Sequence, residues 1–293
     1  MAEDEFPKVI VSNDSTTKIE FFEGYHCVLI PLKNGKVTLC VSSQVGCALG
    51  CRFCKTGEMG LKRNLSCDEI IRQFDFALEY VKNNENLDDT VKNFEVRRSY
   101  PQDYITSIVF MGMGEPFNNY RNVIDSIYCL NRNYSFPFRK ITVSTSGILP
   151  KMEDFLGEDF SSQLALSLHS SIQSKRDFLM PFLSNFPISE LVEFCNKYSK
   201  NRRDGMMIEY IMIAGFNDKD EDIDALLNLG FDKNTNFNLI PLNGKIDLGG
   251  ELYDSSSMER IEEFKRRLRE RGYKCFIRYN MGEDIEAACG MLS

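Results

Sequence analysis

The chain has 293 residues, of which 43% are hydrophobic and 12% aromatic, and a net charge of -8 at neutral pH. This length suits one large or two small domains, and the composition excludes a disordered chain and a strongly basic nucleic-acid coat. The longest apolar runs fall short of the roughly 20 residues that span a bilayer, and the opening Met1-Ala2-Glu3-Asp4-Glu5 is acidic where a secretory leader begins basic, so the sequence predicts a cytoplasmic protein with no membrane partner.

Residues 1–35 read as small strands and turns, with Gly24 and Asn34-Gly35 as turn signals, and form an N-terminal β extension. The remainder, 36–293, reads as the core. Apolar runs at 37–41, 105–111, 141–144, 164–168, 207–213 and 237–240 predict strands. Helical spacing falls between them, at 68–81, 121–131, 189–198, 221–229 and 257–271. Near-continuous apolar strands alternating with helices imply an α/β fold, a parallel sheet covered on both faces and curved into a partial barrel. The polar stretch 82–103 reads as a solvated surface insertion, and a last strand near 274–278 precedes the C-terminal segment 282–293. The basic run 265–271 is expected to be the wet face of its helix, whereas Lys62-Arg63, Arg139-Lys140 and Lys175-Arg176 are better candidates for phosphate contact.

Ten cysteines occur without a secretion signal, which disfavours a disulfide framework and favours reduced thiols or a metal site. Cys47, Cys51 and Cys54 form a C-x-x-x-C-x-x-C run directly after the first parallel strand. Three thiolates can hold three irons of a [4Fe–4S] cubane and leave the fourth iron open to a small ligand. The alternatives are buried structural cysteines, or a zinc knuckle completed by Cys40 or Cys67. The C-terminal end of a barrel strand, where such folds place their chemistry, favours the cluster.

This spacing, with Phe53 before the third cysteine, is that of the radical S-adenosylmethionine (SAM) superfamily. The segments 39–47, 63–65, 111–116, 144–147, 167–169, 208–210, 238–241 and 284–290 together resemble the RlmN/Cfr family of RNA adenine methyltransferases, in chain order across roughly 25–293. The resemblance implies a partial (β/α)6 radical-SAM barrel whose partners are a ribosomal or transfer RNA substrate and a flavodoxin- or ferredoxin-type electron donor. It implies a [4Fe–4S] cluster on Cys47, Cys51 and Cys54, and SAM held by Gly114, Glu115, Ser144, Ser167, Leu168, His169 and Asn243. It assigns Cys289 to carry a methyl group from one SAM, which a radical from a second SAM activates for addition to adenine. Cys40 then attacks the sulfur of Cys289, closing a disulfide and freeing the product.

Four departures bear on the substrate side. The residues ahead of position 25 leave no room for the helical RNA-binding domain of family members. His26 stands where a general-base glutamate is usual, and an imidazole can take the same proton. Met281-Gly282 replaces an Arg-Gly, and Asp254-Ser255-Ser256 replaces an Arg-Ser-Ser. The rival functions are the same radical chemistry on another RNA, nucleotide or peptide, and a non-catalytic iron–sulfur or zinc protein that binds RNA.

Overall fold

The structure, a computed structural model, describes residues 7–32, 35–84 and 100–293. Asn34 of the expected turn and residues 85–99 of the expected insertion lie outside the described residues. The strands are β1 (Lys8–Val11), β2 (Thr17–Phe21), β3 (Tyr25–Pro31), β4 (Val37–Val41), β5 (Gln44–Val45), β6 (Arg63–Asn64), β7 (Ser107–Phe110), β8 (Ile141–Thr145), β9 (Gln163–Ser167), β10 (Met207–Met212), β11 (Asn236–Pro241), β12 (Ile246–Asp247), β13 (Leu252–Tyr253) and β14 (Lys274–Ile277). Ten of these form one sheet in the order β1-β2-β3-β4-β7-β8-β9-β10-β11-β14. From β4 to β14 every neighbouring pair is parallel, with helices as crossovers. The six expected strands are all present, and β14 continues the parallel sheet beyond them.

The N-terminal strands pair antiparallel and join the same sheet through β3 and β4, where Val28 faces Cys40. The sheet curls. Arg278, just after β14, reaches Met111, just after β7, with Nη1 3.2 Å from Sδ. In a flat sheet those strands would stand five spacings apart, about 24 Å, well beyond an arginine's reach. Curvature therefore brings the C-terminal strand ends to one mouth.

The crossover helices bury one stripe each. Residues Cys67–Asn83 start from a Ser66–Glu69 capping box and cover the sheet with Ile70, Phe74 and Leu78. Gln73 on that helix is fully buried because its amide pairs with the backbone of Ser42: Ser42 N–H donates to Oε1 (2.8 Å) and Nε2 donates to the Ser42 carbonyl (3.0 Å). This satisfies the backbone where the chain leaves β4. Helices Leu149–Leu156 and Gln173–Leu179 lack a clear periodic signature and emerge only in the structure.

The C-terminal segment is docked across the mouth rather than loose. Asp284 accepts from Ser12 Oγ and from Asn13 N–H (3.1 Å), and Gly282 N–H donates to Asp14 (2.8 Å). The N-terminal extension thus holds the far end of the chain in place.

Candidate functional site

The thiol trio sits in the loop that leaves β5. Ser42 and Ser43 are buried, and Asn119 Nδ2 donates to the carbonyls of Ser43 (2.8 Å) and Leu65 (2.7 Å). Gly46, at φ +72°, turns the chain so tightly that a Cβ would lie 1.9 Å from the Gly60 carbonyl oxygen. Cys47 and Cys51 are buried and Cys54 is half-buried, at the start of helix Lys55–Glu58. Burial raises all three thiols, Cys47 to about 11. Negative neighbours raise them further: Glu115 acts on Cys47, and both Cys54 and Cys47 act on Cys51. Left alone the three would stay neutral thiols, and a cationic centre bound among them would take all three as thiolates.

Among the described residues, no group of three His, Cys, Asp or Glu side chains suits a single metal ion. A cubane asks for something else, one thiolate on each of three irons, and the donor set fits that demand. Fully buried Arg176 is an electrostatic neighbour of Cys51.

Beside the trio lie the ends of β7 to β11. Gly114, at φ +95°, has no room for a side chain, since a Cβ would stand 2.5 Å from Gln44 Cβ. Gln44 Oε1 accepts the Glu115 N–H (2.8 Å), so a clash at Gly114 would displace the carboxylate too. Gly114→Ala is expected to cost roughly 2–4 kcal/mol, from φ strain and overpacking, and to lower the midpoint of thermal unfolding accordingly.

The Glu115 carboxylate is buried and accepts from Thr145 Oγ1 (2.7 Å), Ser146 N–H (2.8 Å) and Phe117 N–H (3.1 Å). Burial nonetheless outweighs these bonds and holds it above the usual carboxylate range. A carboxylate fixed in this way is an acceptor suited to an ammonium group.

Ser144 Oγ donates to Glu209 (2.8 Å) and lies 3.4 Å from Ser167 Oγ. The Leu168 side chain is in the core, and its N–H donates to the Glu209 carbonyl (3.0 Å). His169 is a left-handed residue (φ 57°) whose ring packs edge-on against Phe53, with centroids 4.7 Å apart. Its Nδ1 accepts the Ile211 N–H at 3.1 Å, which assigns the remaining ring proton to Nε2. Burial, and then the charge of Arg176, lower its pKa to about 3.

That depressed pKa has a consequence for stability. Unfolded chains protonate histidine near 6.5, the folded chain near 3, so the unfolded state binds more protons between these values. Stability contributed by neutral His169 is present above about pH 6.5 and is lost as pH falls, by at most about 1.4 kcal/mol per pH unit. Chemical unfolding of His169→Asn and the parent from pH 7 to 4 is expected to show a shallower acid loss in the variant.

Cys40 is buried in β4, between Val28 and Val109 of the neighbouring strands. Cys289 is half-buried in the docked C-terminal segment, and its carbonyl accepts from Asn243 Nδ2 at 2.7 Å. The next residue rests on the cluster loop, with the Gly290 carbonyl accepting the Lys55 N–H at 2.8 Å. Cys40 and Cys289 are electrostatic neighbours: burial, then Cys289, push the Cys40 thiol to about 12. Arg278 is flanked by both thiols and lies 3.4 Å from Glu209, and Cys289 first among these neighbours holds its pKa above the ordinary value. The strand ends therefore present Ser144, Glu209 and Arg278 as a connected polar chain leading to the two sulfurs.

His26 sits on β3 behind this pair. Its Nε2 is 2.9 Å from the Ser293 carbonyl and donates to it, which leaves Nδ1 buried, unpartnered and able to accept. Burial lowers its pKa, so the ring is neutral above the ordinary histidine range.

Two sequence expectations for phosphate contact change. Arg176 is fully buried, and Lys175 is tied to Asp222 (2.7 Å) and Glu221 (2.8 Å), so this pair is not an open basic patch. Arg63 pairs with Glu69 at 2.8 Å, while Lys62 and Arg139 are exposed. The run 265–271 is, as expected, a wet helix face: Lys265 pairs with Glu262, Arg266 with Glu270 and Arg267 with Asp224. Arg278 is the functional candidate that sequence reasoning missed, and Arg176 the one it assigned to phosphate contact instead. Position alone hinted at Arg278, which directly follows the last strand.

Residues 41–230 match the radical SAM superfamily model, a span that includes the cysteine loop and the strand-end motifs from β7 to β10. The fold and the thiol trio thus define a radical SAM protein. Among curated proteins, the dual-specificity RNA methyltransferase RlmN of Desulfotalea psychrophila is 42% identical over 91% of this chain and 70% of its own. That of Psychrobacter arcticus is 38% identical over 98% of this chain and 72% of its own. A radical SAM methyltransferase structure from Sphaerobacter thermophilus superposes with a TM-score of 0.83 at 35% identity, covering 97% of this chain and 80% of that one. The chain belongs to the RlmN-type radical SAM RNA methyltransferases. Among the described residues, no helix is long and apolar enough to cross a membrane.

Proposed function

We propose that the chain methylates an adenine carbon, C2, in ribosomal or transfer RNA, using a [4Fe–4S] cluster, SAM and a flavodoxin- or ferredoxin-type electron donor. The observation that carries the reading is the seating of Cys289 over the cysteine loop, with Gly290 bonded to Lys55 and Cys40 an electrostatic neighbour of Cys289. A radical SAM protein that used its cluster only to abstract hydrogen from substrate would have no need of two thiols at the mouth.

Cys47, Cys51 and Cys54 hold the cluster, and Gly114, Glu115, Ser144, Ser167, Leu168, His169 and Asn243 frame the SAM chamber. When bound, cluster and sulfonium together supply a carbon-centred radical. Adenine C2 is electron-poor and offers no lone pair to a sulfonium methyl, whereas a thiolate is a good nucleophile toward it. Cys289 therefore carries the methyl carbon, with Arg278 as its charged neighbour. After the carbon joins the base, the adduct must give up its unpaired electron to a one-electron acceptor of the iron–sulfur class, and His26 Nδ1 takes the C2 proton. Cys40, as its thiolate, attacks the Cys289 sulfur, forming the S–S bond as the C–S bond to product breaks and the released carbon takes up a proton to become the methyl group. The donor-derived electrons that return this disulfide to two thiols complete the cycle.

Nucleoside mass spectrometry of RNA from cells with and without the gene tests this. Loss of 2-methyladenosine from ribosomal or transfer RNA in its absence is the expected result. Unchanged 2-methyladenosine, with a different modified adenosine lost, would overturn the position.

A further inference from the structure

Arg176 lies on helix Gln173–Leu179 and is among the largest fully buried side chains, at 0% exposure. Its Nη2 donates to the Ser146 carbonyl at 2.6 Å, while Nε and Nη1 have no partner. Among the described ion pairs none includes it. The negative neighbours it feels are Cys51 and, more weakly, Asp177, whose carboxylate already accepts from Gln173 at 2.7 Å. Gly147, at φ +109°, leaves the space the guanidinium occupies, since a Cβ there would stand 3.1 Å from Nη2. A buried cation with two idle donors is costly unless an anion sits beside it. The helix that carries it packs against the thiol loop: Arg52 N–H donates to the Leu179 carbonyl at 2.9 Å, and Leu179 shares one buried cluster with Cys47 and Cys51.

We propose that Arg176 is the built-in counter-charge of the cluster held by Cys47, Cys51 and Cys54, a positioning residue that sets the cluster's reduction potential. This rests on the iron–sulfur reading above. A cubane on three thiolates is net anionic and gains a further negative charge when an external reductant delivers one electron. A fixed buried cation favours the reduced form over the oxidised one, and so raises the potential toward the reach of a biological donor. It also explains why an arginine is buried where no carboxylate among the described residues pairs with it.

The test is an anaerobic redox titration of protein reconstituted with iron and sulfide, comparing the parent with Arg176→Gln, Arg176→Met and Arg176→Lys. The two charge-free variants are expected to hold iron but to show a reduced-to-oxidised ratio at fixed potential lower by about tenfold, which is about 59 mV for one electron. Arg176→Lys recovers most of that shift. Thermal melts add a readout that a purely structural arginine would not move: the gain in melting temperature on cluster loading shrinks in both charge-free variants, while the empty proteins melt no lower than the parent. Unchanged potentials in both charge-free variants overturn the proposal. So does an unchanged potential with weakened SAM binding, which would assign the idle donors to the ligand's carboxylate. Failure of the parent to take up iron and sulfide overturns the cluster reading itself, a result separable from any effect of Arg176.

Discussion

Cys289→Ala is expected to abolish RNA methylation, by at least about 10⁴-fold, while 5′-deoxyadenosine is still released from SAM under reductant. The separation follows from the site's layout. The trio proposed to hold the cluster lies in the loop after β5, and the glutamate and serines proposed for the SAM chamber lie after β7 and on β8 and β9, none of them on the C-terminal segment. Cys289 is fastened over them by the Asn243 and Gly290 hydrogen bonds, both of which run through its own or its neighbour's backbone carbonyl. Removing its sulfur therefore leaves the docking intact and takes away only the group that accepts a methyl. Liquid chromatography of the nucleosides and of 5′-deoxyadenosine from the same reaction reads both outcomes. Unchanged methylation would rule out Cys289 as the carrier.

Cys40→Ala is expected to trap the enzyme on its RNA. With no thiol to attack the Cys289 sulfur, the carbon bridging protein and base has no route to release. Denaturing gels are expected to show a protein–RNA band approaching one RNA per chain. In the parent the same step carries a pH signature. Burial, and then Cys289, push the Cys40 thiol to about 12, so at neutral pH it is almost wholly protonated. The attacking species is the thiolate, whose fraction rises about tenfold per pH unit below the pKa. Release from the adduct is therefore expected to accelerate with pH between 7 and 9, as measured by decay of the same band. A pH-independent release, or an alanine variant that turns over freely, would remove Cys40 from the step.

Much of the architecture was legible beforehand because its signals are local. Strands such as Val37–Val41 and Met207–Met212 are almost continuous apolar runs, interrupted only by Thr38 and Glu209, as a sheet buried on both faces favours, and their helices carry an amphipathic stripe. Helices Leu149–Leu156 and Gln173–Leu179 escaped because they are two turns or fewer of mixed pattern, held by contacts rather than by periodicity. The seventh parallel strand, β14, was visible as a strand, but its partner β11 was not, since pairing depends on how the helix before it folds back.

The sequence alone determined the alternating strands and helices, the thiol spacing suited to a cubane, and the family to which the motifs belong. All of these are encoded in residues a few positions apart or in ordered short matches. Tertiary structure alone decided which charges meet. Arg176, read from the sequence as an open phosphate contact, is enclosed because Gly147 leaves it room and the helix turns it inward. Arg278 reaches Glu209 and the two thiols only because the sheet curls, and Cys289 reaches the mouth only because the turn around Ser12, Asn13 and Asp14 grips the segment before it. Spacing along a chain reports what can be bound locally, whereas burial and long-range proximity fix which charge is left without a partner, and they exist only once the sheet has closed around them.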